Sequence, residues 1–188
     1  MNAEIDITGV YLETESLILR PFRTADLRDF NEYAQVPGVG ELAGWVHHRS
    51  LEESKEILDL FIQEKKTLAI VEKKSGRVIG SIGIEPYNEA SVGEEYRPLK
   101  CREIGYALSR DYWGQGLMPQ AVSRVLNYCF EDLKLDAVFC GYFKRNHQSR
   151  RVAEKTGFRY VCDLMLPTLY DTQEDSVLTV IHREDWAG

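Results

Sequence analysis

An α/β protein built on a mixed sheet, with helices on both faces, is predicted from three features of the sequence. Some segments alternate apolar and polar residues with the period of a strand, and others repeat apolar residues at i, i+3, i+4 and i+7. The two patterns interleave in the order β-α-α-β-β-β-α-β-α-β-β, which leaves the helices to cover a sheet rather than one another. With 188 residues, 44% hydrophobic and 28% charged, the chain is long and apolar enough for one domain (1–188) with its own core.

Each element has a local reason. Leu17-Ile18-Leu19-Arg20 reads as a strand stopped by Pro21, and Thr24 is placed to cap a helix running to about Tyr33. Pro37-Gly38-Val39-Gly40 reads as a loop. Ser50 and Glu53 form a capping box ahead of Ile57, Leu58 and Phe61 at helical spacing. Thr67 to Lys73 and Val78 to Glu85 make a hairpin, with Gly76 supplying the positive φ of the turn. After a polar insertion, Arg102 to Ser109 alternates: Ile104, Tyr106 and Leu108 face one way, Glu103, Gly105, Ala107 and Ser109 the other. From Gly116 onward Met118, Ala121, Val122, Val125, Leu126, Cys129 and Phe130 form a helical stripe. A strand over 137–143, a short helix from His147 to Thr156 closed by Gly157, and strands over 158–164 and 176–182 complete the chain.

Composition narrows the function. No run approaches the roughly 20 apolar residues of a membrane span, and the start Met1-Asn2-Ala3-Glu4-Ile5-Asp6 is acidic where a secretory signal is basic, so the expectation is a cytoplasmic protein with no membrane partner. The four cysteines sit singly in apolar runs, as small buried hydrophobes do, and His47-His48 lacks a third ligand at suitable spacing, which predicts exposed histidines and no metal. A net charge of −7 argues against nucleic acid. Yet Lys144, Arg145, Arg150, Arg151, Lys155 and Arg159 lie within one short stretch beside Glu154 alone, while the rest of the chain holds 17 basic and 29 acidic residues. Such an island suits a small polyanion, or else is a solvated helix face.

Two segments carry candidate chemistry. Asp111-Tyr112-Trp113-Gly114-Gln115-Gly116-Leu117-Met118 joins an alternating strand to an amphipathic helix. Glycines one residue apart let backbone approach a ligand, and the helix N-terminus offers free N–H groups to an anion; the same spacing also makes a simple tight turn. A third glycine and a Gly-Lys-Ser/Thr run are both absent, which disfavours NAD and nucleoside triphosphates. In Asn146-His147-Gln148-Ser149-Arg150-Arg151-Val152-Ala153-Glu154-Lys155-Thr156-Gly157-Phe158, Asn146 is also a natural helix cap and Ser149 a natural partner for a nearby carbonyl.

Together these segments resemble the GNAT superfamily of acyl-CoA-dependent N-acetyltransferases, in the branch that includes the ribosomal-protein N-terminal acetyltransferases RimJ and RimL. Thr14-Glu15-Ser16-Leu17-Ile18-Leu19-Arg20-Pro21, Glu103-Ile104-Gly105-Tyr106 and His182-Arg183-Glu184-Asp185-Trp186 extend the likeness over roughly residues 14 to 186. The resemblance implies the GNAT fold with splayed middle strands, and acetyl-CoA as cosubstrate. Its implied contacts are the backbone of Trp113, Gly114, Gln115, Gly116, Leu117 and Met118 on the pyrophosphate, Leu108 and Ser109 along the pantetheine, Asn146 on the pantetheine, and Arg151 and Lys155 on phosphates. Asp111 stands where the family often has Gln or Arg, and Pro119-Gln120 where relatives often have Thr-Glu; the first removes a side-chain contact, and the second is tolerated in a first helical turn.

Direct acetyl transfer needs a base for the amine and a hydrogen-bond donor or acid for the departing thiolate. Glu103 is the candidate base, Ser149 the candidate acid and Tyr142 a spare. No G-x-S-x-G elbow supports a hydrolase. The expected acceptor is a primary amine, either a protein N-terminus or a small cationic amine such as a polyamine, amino acid or aminoglycoside, steered by acidic loops. A non-catalytic acyl-CoA-binding regulator and a homodimer remain as further readings.

Overall fold

The computed structural model describes residues 1–187. Its elements run β1 (Leu12–Glu13), β2 (Leu17–Pro21), α1 (Leu27–Ala34), α2 (Leu51–Glu64), β3 (Thr67–Glu72), β4 (Val78–Glu85), β5 (Cys101–Leu108), α3 (Leu117–Asn127), β6 (Ala137–Phe143), α4 (His147–Lys155), β7 (Arg159–Pro167) and β8 (Gln173–His182). The strands form one sheet in the order β1-β2-β3-β4-β5-β6-β8-β7, antiparallel everywhere except between β5 and β6.

Most expected elements are present, and the departures have local causes. The strand β1 is too short to display a period and exists by pairing Leu12 with Leu19. Thr24 does not cap α1. It opens a 3-10 turn, and the helix begins at Leu27 behind Asp26, whose Oδ2 accepts from Arg23 N at 2.8 Å. Ser50 Oγ accepts from Glu53 N as a capping box requires, but Glu53 reaches back to Arg49 N, one residue further than expected. Past Asn127 the α3 stripe widens into a π-type turn, Tyr128–Asp132, which still delivers Cys129 and Phe130 to the core. The insertion before β5 is not merely polar: Tyr87 and Tyr96 pack on Phe139, with ring centroids 5.0 and 4.9 Å away.

Both faces of the sheet are covered. On one, Ile82, Ile84 and Ile104 meet Val122, Val125 and Leu126 of α3. On the other, Phe30, Tyr33 and Leu58 of α1 and α2 cover Ala69, Val71 and Ala107, and the insertion covers Cys101, Ala137 and Phe139. Burial of these apolar groups supplies the main driving force for the fold.

The feature that makes a site is the short parallel pairing of β5 with β6. It comprises Cys101 with Ala137, Arg102 with Val138 and Glu103 with Phe139. Beyond it β5 stays on β4 as far as the Leu108 and Gly80 pair, while β6 stays on β8 as far as Phe143 and Ser176. Each strand follows its own antiparallel partner, and the sheet opens between them.

A buried ion pair fixes the turn that leads into α1 against β2. Arg20 donates to both oxygens of Asp26, at 2.7 and 2.8 Å, and both side chains are largely buried. Asp26→Ala strands the guanidinium and should lower stability by about 3 kcal/mol, read from urea unfolding.

Candidate active site

Glycines build one wall of the opening. Gly114 and Gly116 have φ of 75° and 74°, a region that L side chains avoid, and a Cβ on either would meet nothing within 4 Å. Gly116 is the residue before α3, so the first-turn amides of that helix, from Leu117 on, emerge at an uncluttered surface. The loop is pinned from behind: Trp113 Nε1 donates to Leu108 O at 2.8 Å and Gln115 Nε2 to Asp111 O at 2.9 Å. Gln115 thus turns its side chain back onto its own loop.

A cavity of about 270 Å³ lies in front of these glycines. Leu117, Met118 and Pro119 line it from α3, Asn146, Ser149, Arg151 and Lys155 from α4, and Tyr106, Ala107 and Leu108 from β5. Val39, Leu42 and Ala43 close it over. Ser109 N donates to Ile79 O, so by antiparallel alternation the odd residues of β5 exchange bonds with β4 and the backbone of Ile104, Tyr106 and Leu108 turns toward the opening. Ser109 itself lines a separate cavity with Asp29, Glu32 and Asp111, whose carboxylates suit no phosphate.

The structure sorts the basic island into two groups. Lys144 pairs with Asp163 and Asp175, Arg145 with Glu174, Arg150 with Glu154 and Arg159 with Asp185. Among the described residues Arg151 and Lys155 have no such partner, and they are the two that line the cavity. Tertiary pairing engages three of the other four, and an i,i+4 pair within α4 engages Arg150.

Polar groups divide between the two sides of the opening. Ser149 is buried in the cavity wall, with Oγ 2.9 Å from the Tyr106 hydroxyl. Asn146 is committed at both ends: its Oδ1 accepts from Ser149 N at 3.0 Å and its Nδ2 donates to Leu42 O at 3.1 Å. It therefore caps α4 and ties down the covering loop. Glu103 lies on the opposite face of β5, at the last residue pair before the strands part, and its Oε1 accepts from Gly141 N of β6 at 3.2 Å. Burial pushes its pKa up to about 7, the Gly141 bond opposes this, and Glu85 on the neighbouring strand adds to the rise. Beside it Gly105 is exposed, with open space above its Cα. Tyr142 is half-buried on β6 and is not among the residues lining the cavity.

Sequence reasoning missed Tyr106, hidden in an aliphatic face, and the loop at 39–43 that roofs the cavity. The histidine pair also differs from expectation. His47 Nδ1 contacts Glu41 Oε1 at 2.7 Å, but His48 is buried against Phe30 and Trp45, 2.8 Å from Ser54 Oγ, and burial lowers its pKa. All four cysteines are free, three of them buried. Among the described residues no cluster of three His, Cys, Asp or Glu side chains could hold a metal, and no helix is long and apolar enough to cross a membrane.

A mixed sheet parted at its one parallel junction, with a glycine-led helix N-terminus at the parting, defines a GNAT-type acyltransferase. Residues 16–159 match the family described as an acetyltransferase (GNAT) domain, and the chain belongs to that family: it is a GNAT N-acetyltransferase. An uncharacterized N-acetyltransferase of Bacillus subtilis, YoaA, is 27% identical over 153 residues, 79% of this chain and 82% of the relative. Among solved structures, the ribosomal-protein-S5-alanine acetyltransferase of Vibrio fischeri superposes with a TM-score of 0.73 at 23% identity, covering 96% of this chain and 100% of the other. RimJ of Mycobacterium smegmatis, in complex with CoA-disulfide, superposes with a TM-score of 0.71 at 19% identity, covering 95% and 88%.

Gly116→Val places a β-branched side chain at a positive φ directly before α3. It should cost about 1–2 kcal/mol of stability. It should also remove most of the stabilisation by CoA, which for the wild-type chain at 100 times Kd is about 2.7 kcal/mol, with both effects read from melting curves.

Proposed function

We propose that the chain uses acetyl-CoA to acetylate a primary amine by direct transfer, and that the amine is a protein N-terminus. The observation that carries the donor half is the joint placement of open glycines, α3 amides, Arg151 and Lys155 around one cavity that leads to Ser149. Backbone donors and two uncancelled cations suit a pyrophosphate and a further phosphate, while Tyr106, Ala107 and Leu108 suit an apolar arm with amides. Bound acetyl-CoA would supply the activated acyl group as its thioester. The CoA-disulfide complex of the structurally similar RimJ supports this reading.

Glu103 is proposed as the base. It sits where the opening narrows, on the face away from the cavity, so an amine entering past Gly105 would meet it on its way to a thioester held on the other side. The amine forms an N–C bond to the acyl carbon as the C–S bond breaks. Its proton passes to the Glu103 carboxylate, and Ser149 Oγ–H hydrogen-bonds the departing thiolate. Tyr142 has no part in this scheme.

For the acceptor, the observations are the ribosomal-protein acetyltransferases among the structural neighbours and the exposed Gly105 floor, which leaves room for backbone of an incoming chain. Thiol release should be measured with a panel of peptides bearing free N-termini, polyamines, amino acids and aminoglycosides. Turnover confined to small amines replaces the peptide reading, and CoA binding with no turnover on any amine favours a non-catalytic binder.

Two outcomes test the chemistry. Ser149→Ala should reduce kcat about 10- to 100-fold while CoA affinity stays within about three-fold, by steady-state kinetics and calorimetry. Wild-type kcat/KM should rise with pH through a limb centred at about 7 as Glu103 loses its proton, in addition to the limb of the amine itself. Glu103→Gln should delete the first limb and keep the second, so that its deficit relative to the wild type grows as the pH rises through about 7.

A further inference from the structure

Tyr106 occupies the middle of β5 on the face turned toward α3 and α4, between the aliphatic side chains of Ile104 and Leu108. Its hydroxyl lies 2.9 Å from Ser149 Oγ and 3.4 Å from the Ser149 carbonyl, and the buried Cys140 thiol on β6 points at it from 4.0 Å. Cys140 Sγ donates to the phenol oxygen, which leaves the phenol hydrogen to be placed. The shorter contact makes Ser149 Oγ its better acceptor. Ser149 Oγ makes no other hydrogen bond among the described residues, so its own hydrogen has no protein acceptor, and it stands in the wall of the cavity.

We infer that Tyr106 is a positioning residue for Ser149: by donating to Ser149 Oγ it turns the serine hydrogen toward the cavity, onto the place of the CoA sulfur. The inference rests on the acetyl-CoA reading given above. The tyrosine transfers no proton. Its contribution is to fill one lone pair of Ser149 Oγ with the phenol hydrogen, which fixes the serine hydroxyl rotor with its own hydrogen away from the phenol and strengthens that hydrogen as a donor. Burial holds the phenol well above its ordinary pKa, so the donor state persists through the working pH range. The side chain also spans the opening, from β5 to α4, which makes the orientation of Ser149 depend on the parted strands.

Equilibrium binding of CoA and of desulfo-CoA, which lacks the sulfur, separates this role from mere packing without relying on turnover. Calorimetry is run on the wild-type chain, Tyr106→Phe and Ser149→Ala, with kcat measured alongside. The wild type should prefer CoA by about three- to ten-fold. Tyr106→Phe and Ser149→Ala should each erase that preference while desulfo-CoA affinity stays within about two-fold, and the double variant should lose no more kcat than Ser149→Ala alone. A preference kept in Tyr106→Phe but lost in Ser149→Ala overturns the positioning role and leaves the acetyl-CoA reading intact. Equal weakening of both ligands in Tyr106→Phe reduces the residue to packing and overturns it as well. No preference in the wild type removes the sulfur as Ser149's target, and failure of both ligands to bind removes the acetyl-CoA reading together with everything built on it.

Discussion

Three parallel residue pairs between β5 and β6, and no more, set the rest of the molecule. Had the pairing continued, Gly141 N would have bonded backbone and the sheet would have been closed. Instead the Gly141 amide is met by the Glu103 carboxylate at 3.2 Å, a side chain standing in for the strand that has moved away. The antiparallel pairs β4–β5 and β6–β8 run on to the ends of their strands, so the two halves of the sheet are each rigid and the gap between them is held open by structure on both sides. A buried backbone group must find a partner, and here that requirement converts a carboxylate into a structural bridge whose burial also lifts its pKa to about 7.

The same gap gives the two faces different work. On the α3 and α4 side a helix N-terminus, two glycines and two cations surround a cavity, a setting for a polyanion with an apolar tail. On the α1 and α2 side Gly105 leaves the sheet bare beside Glu103. In the proposed reaction, acyl donor and amine therefore reach one point from opposite faces of the sheet. Proximity of this kind, more than any single group, is where acyl transfer gains its rate.

Several side chains at the site are doubly used. Asn146 caps α4 through Ser149 N and holds the Leu42 carbonyl of the covering loop. Arg145, cancelled as a phosphate ligand by Glu174, donates to the Glu41 carbonyl of the same loop. Leu169 N reaches Gly44 O from the connection between β7 and β8. The roof of the cavity is thus tied to the turn into α4 and to the connection between β7 and β8, by hydrogen bonds from Arg145, Asn146, Leu169 and Tyr170.

Local chemistry alone determined a large part of this protein. The apolar runs of β3 and β4, the alternation of β5, the stripe of α3, Gly76 in its turn and the Ser50 cap are all effects of neighbours within a few residues, and a sequence displays them directly. The glycine loop and the segment from Asn146 to Phe158 were legible for the same reason, since positive φ and helix capping are set by residue type. What only the tertiary structure decided depends on residues far apart in the chain. Three of the island's cations were engaged by Asp163, Glu174, Asp175 and Asp185, all outside it, and only Arg150 by a near neighbour, Glu154. His48 was buried by Phe30 and Trp45, Tyr87 and Tyr96 were drawn into the core by Phe139, and Tyr106 found Ser149 across a gap of 43 positions. Period and propensity carry no information about such partners, because a side chain's charge state and hydrogen bonds follow from what the folded chain packs against it.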